Sequence, residues 1–142
     1  MTIQEIHHHL ESYKINPSFQ RAAIMHYMLE HLNHPTVDQI YADLLPTIPT
    51  LSKATVYNTL RLFVDKKAVR AIFIDEKNVR YDAQTHPHAH FKCKRCGSIF
   101  EIPLEESEIP KFRGSPELIP FDTQIYFFGM CKKCEELPIV TI

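Results

Sequence analysis

The chain has 142 residues, which is enough for one ordinary domain or two small ones. Hydrophobic residues make up 44% and charged residues 23%, a globular balance that argues against a disordered tail or a fibre. The 16 basic and 17 acidic residues give a formal net charge of -1. A uniformly basic surface is therefore excluded, and any contact with DNA must come from a local patch.

The chain carries no signal for a membrane or for export. No uncharged apolar run approaches the roughly 18 residues of a membrane span, and the first residues lack the basic-then-apolar order of an export signal. We therefore expect a cytosolic protein without a membrane partner. A reducing cytosol argues against structural disulfides among the four cysteines.

The first half of the chain has the apolar spacing of four helices, with hydrophobic residues at three- and four-residue steps. Start signals agree, because Ser18, Thr36 and Ser52 stand just before three of these segments, and Gln39 completes a capping box with Thr36. The apolar sets are Ile3, Ile6 and Leu10; Ala22, Ile24, Met28 and Leu32; Val37, Ile40, Tyr41 and Leu44; and Val56, Leu60, Phe63 and Val64.

Two short strands are predicted after the helices. They run from Val69 to Ile74 and from Val79 to Tyr81. Helices followed by a hairpin are typical of a winged helix-turn-helix. The pattern changes near residue 82, which predicts a winged-helix DNA-binding domain over 1–82 and a metal-binding domain over 83–142.

The second half is strand-like, with β candidates at 90–93, 98–102 and 123–130. Between them, prolines exclude a long uninterrupted helix over 103–120. The fold class is thus α+β, with an N-terminal winged helix and a small C-terminal α/β domain. The prolines concerned are Pro103, Pro110, Pro116 and Pro120.

The four cysteines form two Cys-x-x-Cys pairs, Cys93 with Cys96 and Cys131 with Cys134. Two such turns can complete a tetrahedral thiolate shell, which suits Zn²⁺. Buried free thiols or a redox pair are the alternatives. Structural zinc is favoured because a metal also stabilises a small domain with a limited core.

A second metal signal is the alternation of His86, His88 and His90. On an extended strand alternate side chains share a face, so these imidazoles can point the same way. Two of them, with a distant histidine and carboxylates, would form a mixed N/O site for Fe²⁺, Mn²⁺ or Zn²⁺. An incidental histidine-rich loop is the alternative.

The fourth helix is the candidate DNA-contacting element. Residues 52–70 carry five basic side chains against one acidic one. Charge alone also fits a solvated helix face, but the following hairpin favours contact with phosphates and base edges. The candidate DNA-binding residues are Ser52, Lys53, Thr55, Tyr57, Asn58 and Arg61, with Lys14 and Arg21 as backbone contacts.

These motifs together resemble the ferric uptake regulator (Fur) family of metal-dependent bacterial transcription factors over nearly the whole chain. The resemblance rests on His34-Pro35-Thr36, Ser52-x-Ala54-Thr55-Val56-Tyr57, Arg80-Tyr81-Asp82, His88-x-His90-x-x-Cys93-x-x-Cys96-Gly97 and Gly129-x-Cys131-x-x-Cys134. It implies a homodimer whose C-terminal domain is a dimerisation domain holding a four-cysteine zinc.

The resemblance also implies a regulatory metal between the two domains. Its ligands would be His34, Asp82, His88, His90 and Glu101. An additional site of some relatives is expected to be absent, since Pro87, Ala89 and Thr123 replace its ligands and only Glu108 matches. The family's dimerisation helix is interrupted by Pro110.

The leading hypothesis is a metal-dependent repressor that binds a palindromic operator and takes no small organic substrate. Within the family, Asp82 and His34-Pro35-Thr36 lean toward peroxide-responsive members, whereas Glu101 leans toward iron-responsive ones. A zinc-responsive regulator is an alternative, and the ligand types do not select among the ions. From other classes, a zinc-dependent hydrolytic enzyme lacks a His-Glu-x-x-His motif, and a metal-storage module leaves the winged helix unexplained.

Overall fold

A computed structural model describes residues 1–136, so the last six residues of the predicted second domain lie outside it. The chain divides into two compact units, one over Met1–Thr85 and the other from His86 onward. The division falls three residues after the predicted boundary. None of the helices in the described part has the length and hydrophobicity needed to span a bilayer.

The first unit contains four helices followed by a two-stranded antiparallel sheet, the order predicted for a winged helix. In the sheet, Ala71 pairs with Tyr81. The first strand is shorter than predicted. The elements are α1 (Ile3–Ser12), α2 (Phe19–Glu30), α3 (Val37–Leu44), α4 (Lys53–Asp65), β1 (Arg70–Ile72) and β2 (Arg80–Asp82).

Local sequence sets the helix starts. Each of the helices α1 to α4 begins after a Ser or Thr whose side chain accepts a hydrogen bond from the third helical backbone N–H group. The predicted capping box of Thr36 and Gln39 is confirmed, with Gln39 N donating to Thr36 Oγ1 at 3.2 Å. Thr2 and Glu5 form a second capping box that the pattern did not reveal.

The helices enclose one apolar core, and every member of it lies in the first unit. From α4, Val56, Leu60 and Phe63 are fully buried, as their spacing predicts. This packing turns the opposite face of α4 outward. Other large, fully buried core side chains are Leu10, Ile24, Met25, Met28 and Ile40.

The second unit is built on a three-stranded sheet of order β4-β3-β5, formed by β3 (His88–Cys93), β4 (Ile99–Pro103) and β5 (Tyr126–Gly129). β3 pairs with β4 antiparallel and with β5 parallel. A parallel partner needs a long crossover connection, which the stretch between β4 and β5 supplies. β5 is shorter than the predicted strand.

The crossover stretch contains one 3₁₀ turn, Glu106–Glu108, and no α-helix. The prediction that prolines prevent a long helix here is confirmed, and residues 111–123 are exposed. A short helix, α5 (Lys132–Glu135), follows β5.

Among residues 1–136, three residues other than glycine have a left-handed backbone, namely Lys14, His34 and Lys67. The two lysines lie just beyond the ends of α1 and α4, where a left-handed residue commonly closes a helix. His34 has a φ of 60° inside the loop between α2 and α3, directly before a proline. Left-handed backbone costs roughly 1–2 kcal/mol for such a residue, so other contacts must hold it there.

Candidate metal centres

The four cysteines converge within the second unit. Their Sγ atoms all lie within 4.8 Å of one another. A tetrahedral ion with Zn–S bonds of about 2.3 Å separates its sulfurs by about 3.8 Å, and Cys96 Sγ lies 3.9 Å from Cys131 Sγ. The donor set and its spacing therefore fit a structural Zn²⁺.

The sheet explains why the two cysteine pairs meet although 34 residues separate them. Cys93 ends β3 and is paired with Gly129 of the parallel strand β5, which leads directly to Cys131. Gly97 follows the first pair with a φ of 78°, a left-handed backbone that glycine adopts readily and that lets this turn close. The parallel pairing thus places both turns at one end of the sheet.

Hydrogen bonds and burial shift the pKa values of two of the thiols in opposite directions. The backbone N–H groups of Cys96 and Cys131 donate to Cys93 Sγ at 3.5 and 3.4 Å, and they lower the pKa of the Cys93 thiol to about 6. Burial, together with the neighbouring thiols, raises the pKa of Cys134 to about 12. A divalent cation would favour the thiolate form at all four positions.

In the second unit, two histidines and a glutamate form a group of candidate ligands. His88 and His90 lie on one face of β3, where both are buried and their Nε2 atoms are 3.2 Å apart. Glu101 is the cross-strand partner of His90, and its Oε1 lies 3.9 Å from His88 Nε2. His86, the third residue of the predicted alternation, is exposed and precedes the strand.

A backbone contact orients His88. Its Nδ1 lies 2.7 Å from the carbonyl oxygen of His86. Because a carbonyl only accepts, Nδ1 carries the proton in the neutral ring, and Nε2 presents a lone pair to the face shared with His90 and Glu101. Ligands bound at about 2.1 Å in adjacent octahedral positions are about 3 Å apart. The 3.2 Å between the two Nε2 atoms fits that requirement.

In the first unit, His34 and Asp82 form a smaller group. His34 Nε2 lies 3.6 Å from Asp82 Oδ2, and both residues are almost completely buried. Asp82 also accepts a hydrogen bond from Gln84 N through Oδ1. A buried imidazole beside a buried carboxylate offers one nitrogen and one oxygen ligand atom to a divalent ion.

The predicted DNA-contacting residues occupy the outer face of α4 and its surroundings. Tyr57, Asn58 and Arg61 are exposed. Ser52 caps the helix by accepting a hydrogen bond from Thr55 N, and the hydroxyl oxygens of the two residues are 2.9 Å apart. Lys53 Nζ lies 3.2 Å from Asp38 Oδ1, and Arg21 Nη1 donates to Asn16 O at 2.8 Å, so these two cations have partners within the unit, whereas Lys14 is exposed.

Comparison with known proteins agrees with these centres. The sequence profile of the Ferric uptake regulator family matches residues 11–113. A peroxide-responsive repressor, PerR, of Staphylococcus aureus is 36% identical over 149 aligned residues, which cover 94% of this chain and 97% of the relative. The chain belongs to the ferric uptake regulator family. It is accordingly a metal-responsive transcriptional regulator, and members of this family are dimeric DNA-binding proteins.

Solved structures of this family share the fold. A structure of PerR from Streptococcus pyogenes, concerned with peroxide sensing and gene regulation, is 29% identical and covers 93% of this chain and 92% of its own, with a TM-score of 0.52. The ferric uptake regulator of Pseudomonas aeruginosa with manganese is 18% identical and supports the fold alone, with a TM-score of 0.68 and coverage of 93% and 99%. In this family setting, the cysteine group is consistent with structural zinc and the His/Asp/Glu groups with regulatory iron or manganese.

Two residues beside these groups were not identified as functional from the pattern. Arg80 was named only in the resemblance, as part of Arg80-Tyr81-Asp82, and Asp75 lies between the two predicted strands without an assigned role. Arg80 Nη1 donates to the carbonyl oxygen of His34 at 3.0 Å, and Arg80 Nε donates to Asp75 Oδ2 at 3.1 Å. The sequence offered one signal for Arg80, because this charged residue lies two positions before the candidate ligand Asp82 on a short predicted strand.

Proposed function

We propose that this chain is a peroxide-responsive, metal-dependent repressor that binds a palindromic operator as a homodimer. One observation carries the proposal. Each unit holds a group of candidate ligands built on buried histidines, and each group is too small to satisfy a regulatory ion alone. DNA binding by such a regulator implies a cytoplasmic protein.

The ligand count favours one shared ion. His34 and Asp82 offer two ligands, while His88, His90 and Glu101 offer three. Fe²⁺ and Mn²⁺ prefer five or six nitrogen and oxygen ligands. An ion that takes ligands from both groups is satisfied at only one angle between the units. Bound metal therefore selects the arrangement of the dimer that presents both α4 helices to successive major grooves.

The same linkage makes the metal and the operator mutually dependent. If the ion raises the affinity for DNA, then DNA raises the affinity for the ion by the same factor. Couplings of this kind are typically about 5- to 150-fold. With a coupling of this size, the repressor releases its operator when the ion is lost or a ligand is destroyed.

The outer face of α4 is the proposed reading surface. Arg61 is exposed, two turns after the capped start of the helix, and lies opposite the buried stripe of Val56, Leu60 and Phe63. The short side chains of Ser52 and Thr55 leave the first turn of the helix accessible. This geometry suits phosphate and base-edge contacts in a major groove.

Arg61→Ala is expected to weaken operator binding and to reduce the slope of log affinity against log salt by about 1, because one phosphate contact is lost. Fluorescence anisotropy at several salt concentrations measures both effects, and zinc and manganese content should stay as in the wild type. Arg113→Ala, which removes an exposed arginine from the second unit, is the matched control. An unchanged affinity and salt slope for Arg61→Ala would remove this residue from the interface.

The proposed dimer would bury apolar surface of the second unit. Phe127 and Phe128 of β5 are about half exposed, and large apolar side chains of the crossover stretch are more exposed still. Exposed apolar area of this extent is typical of a protein interaction surface. The residues of the crossover stretch are Phe112, Leu118, Ile119 and Phe121.

Peroxide is the proposed signal because the relatives of highest stated identity, in Staphylococcus aureus and Streptococcus pyogenes, are PerR proteins. Bound Fe²⁺ supplies the redox chemistry by which peroxide oxidises a neighbouring imidazole. The net change adds one oxygen atom to the ring and turns H₂O₂ into water. His34 and His90 are both buried candidate ligands, so the oxidation is expected on side chains that would lie next to the bound iron.

The test is a gel-shift titration with Fe²⁺, Mn²⁺ and Zn²⁺, followed by peroxide and mass spectrometry. We expect Fe²⁺-loaded protein to lose operator binding and to gain one oxygen atom on His34 or His90, while Mn²⁺-loaded protein keeps both its mass and its operator. Repression by Fe²⁺ without any mass gain would select an iron-responsive regulator. A response to Zn²⁺ alone would select the zinc-responsive alternative.

We further propose that the chain is not an enzyme. Its curated relatives are transcriptional repressors. A shared ion with five protein ligands also leaves at most one position for a substrate or water. Hydrolytic zinc sites typically have three protein ligands and keep an open position for water.

A further inference from the structure

Three consecutive residues of β2 contact the loop that carries His34. Arg80 Nη1 donates to His34 O at 3.0 Å, and Tyr81 N donates to Pro35 O at 3.0 Å. Asp82 Oδ2 lies 3.6 Å from His34 Nε2. Strand β2 therefore contacts both the backbone and the ring of this candidate ligand.

His34 needs such support because its conformation is unfavourable in two ways. Its φ of 60° is left-handed for a residue with a side chain. It also precedes Pro35, and the residue before a proline is normally extended. A relaxed backbone at this position would turn the imidazole away from Asp82. Strained residues of this kind persist only where their surroundings hold them.

Arg80 is itself held in place. Its Nε donates to Asp75 Oδ2 at 3.1 Å, and Asp75 Oδ1 accepts from Lys77 N at 2.9 Å within the turn between the strands. The side chains of Arg80 and Asp75 are only 23% and 15% exposed, so solvent screens their ion pair incompletely. A planar guanidinium can serve a carboxylate and a carbonyl at once, which a lysine ammonium does less well.

We propose that Arg80 is a positioning residue for the metal ligand His34, and that Asp75 acts through Arg80. The inference rests on the proposed function, in which His34 binds the regulatory ion. Arg80 is not itself a candidate ligand, because its guanidinium stays protonated and offers no lone pair to a cation. Its guanidinium fixes the carbonyl of His34, and the fixed backbone places the imidazole beside Asp82.

The experiment compares the Mn²⁺ affinity of the wild type with that of Arg80→Gln by equilibrium dialysis. Loss of a contact that orients a metal ligand costs roughly 10- to 100-fold in metal affinity, and we expect a weakening in that range. Zinc content is expected to stay unchanged. Arg80→Lys keeps one donor and is expected to restore part of the affinity. An Arg80→Gln protein that binds Mn²⁺ as tightly as the wild type would overturn the proposal.

A double-mutant cycle tests the role of Asp75. Asp75→Asn should also weaken Mn²⁺ binding, and the double variant with Arg80→Gln should be no weaker than Arg80→Gln alone, because both act through one contact. Additive losses would contradict an action of Asp75 through Arg80. Lys77→Ala is the control, since only the backbone of Lys77 contacts Asp75, and it should leave the affinity unchanged.

The two proposals fail in different ways. If the wild type binds no Mn²⁺ beyond its zinc, the proposed function fails. If the wild type binds Mn²⁺ but the variants bind it equally well, only the role of Arg80 fails. Should Arg80→Gln not fold, as judged by its thermal melt, Asp75→Asn decides, and wild-type affinity in that variant overturns the proposal.

Discussion

Replacement of His90 by alanine is expected to abolish the effect of Mn²⁺ on operator binding. His90 is buried on β3, its Nε2 lies 3.2 Å from that of His88, and Glu101 is its cross-strand partner. Without this imidazole the second unit offers only two of its three candidate ligands, and the ion no longer binds that unit tightly. The roughly 5- to 150-fold gain in operator affinity expected on adding Mn²⁺ should disappear.

The matched control is His86→Ala. His86 belongs to the same histidine alternation but is exposed, and it supports His88 only through its backbone carbonyl, which alanine retains. Anisotropy titrations with and without Mn²⁺ should show a full metal response in His86→Ala and none in His90→Ala, with one zinc per chain in both. A metal response retained by His90→Ala would remove this residue from the regulatory ligands.

Cys93→Ser is expected to release the zinc and to unfold the second unit. Among described residues from His86 onward, the buried hydrophobic side chains are only Ala89, Cys93 and Cys134. So small a core leaves the sheet dependent on the metal that joins the end of β3 to the turn after β5. Loss of a supporting contact lowers metal affinity by roughly 10- to 100-fold. Loss of one of the four ligands should lower the zinc affinity by more than that.

Elemental analysis and circular dichroism measure this loss. Ser98→Ala is the control, because it alters a side chain next to the cluster and leaves all four sulfurs in place. It should retain zinc and unfold at the temperature of the wild type. The first unit should stay folded in Cys93→Ser, since the apolar core lies entirely within it. Unchanged zinc content in Cys93→Ser would refute the thiolate site.

Local chemistry made much of the fold predictable. The Thr36 and Gln39 capping box and the buried spacing of Val56, Leu60 and Phe63 act within one helix, so sequence neighbours carry the whole signal. The cysteine pairs were equally informative, because two residues between thiolates suit a single ion. The structure brings their sulfurs together as that interpretation requires.

Other features depend on contacts that spacing does not reveal. The parallel pairing of β3 with β5 spans a crossover of more than 20 residues. The sequence of neither strand identifies the strand with which it pairs. His34 has a left-handed backbone, and its carbonyl oxygen accepts a hydrogen bond from Arg80, 46 residues further along the chain. The roles of His34 and Asp82 as ligands came from family resemblance, and they stay predictions together with the DNA contacts.

The central claim is that a single ion draws ligands from both units. Equilibrium dialysis of Mn²⁺ against zinc-loaded wild type, His34→Ala and His90→Ala tests it most directly. The account predicts one Mn²⁺ per chain in the wild type and strongly weakened binding in both variants, although the substituted residues belong to different units. Mn²⁺ bound by His34→Ala with wild-type affinity and stoichiometry would contradict it, because the ion would then need only the second unit.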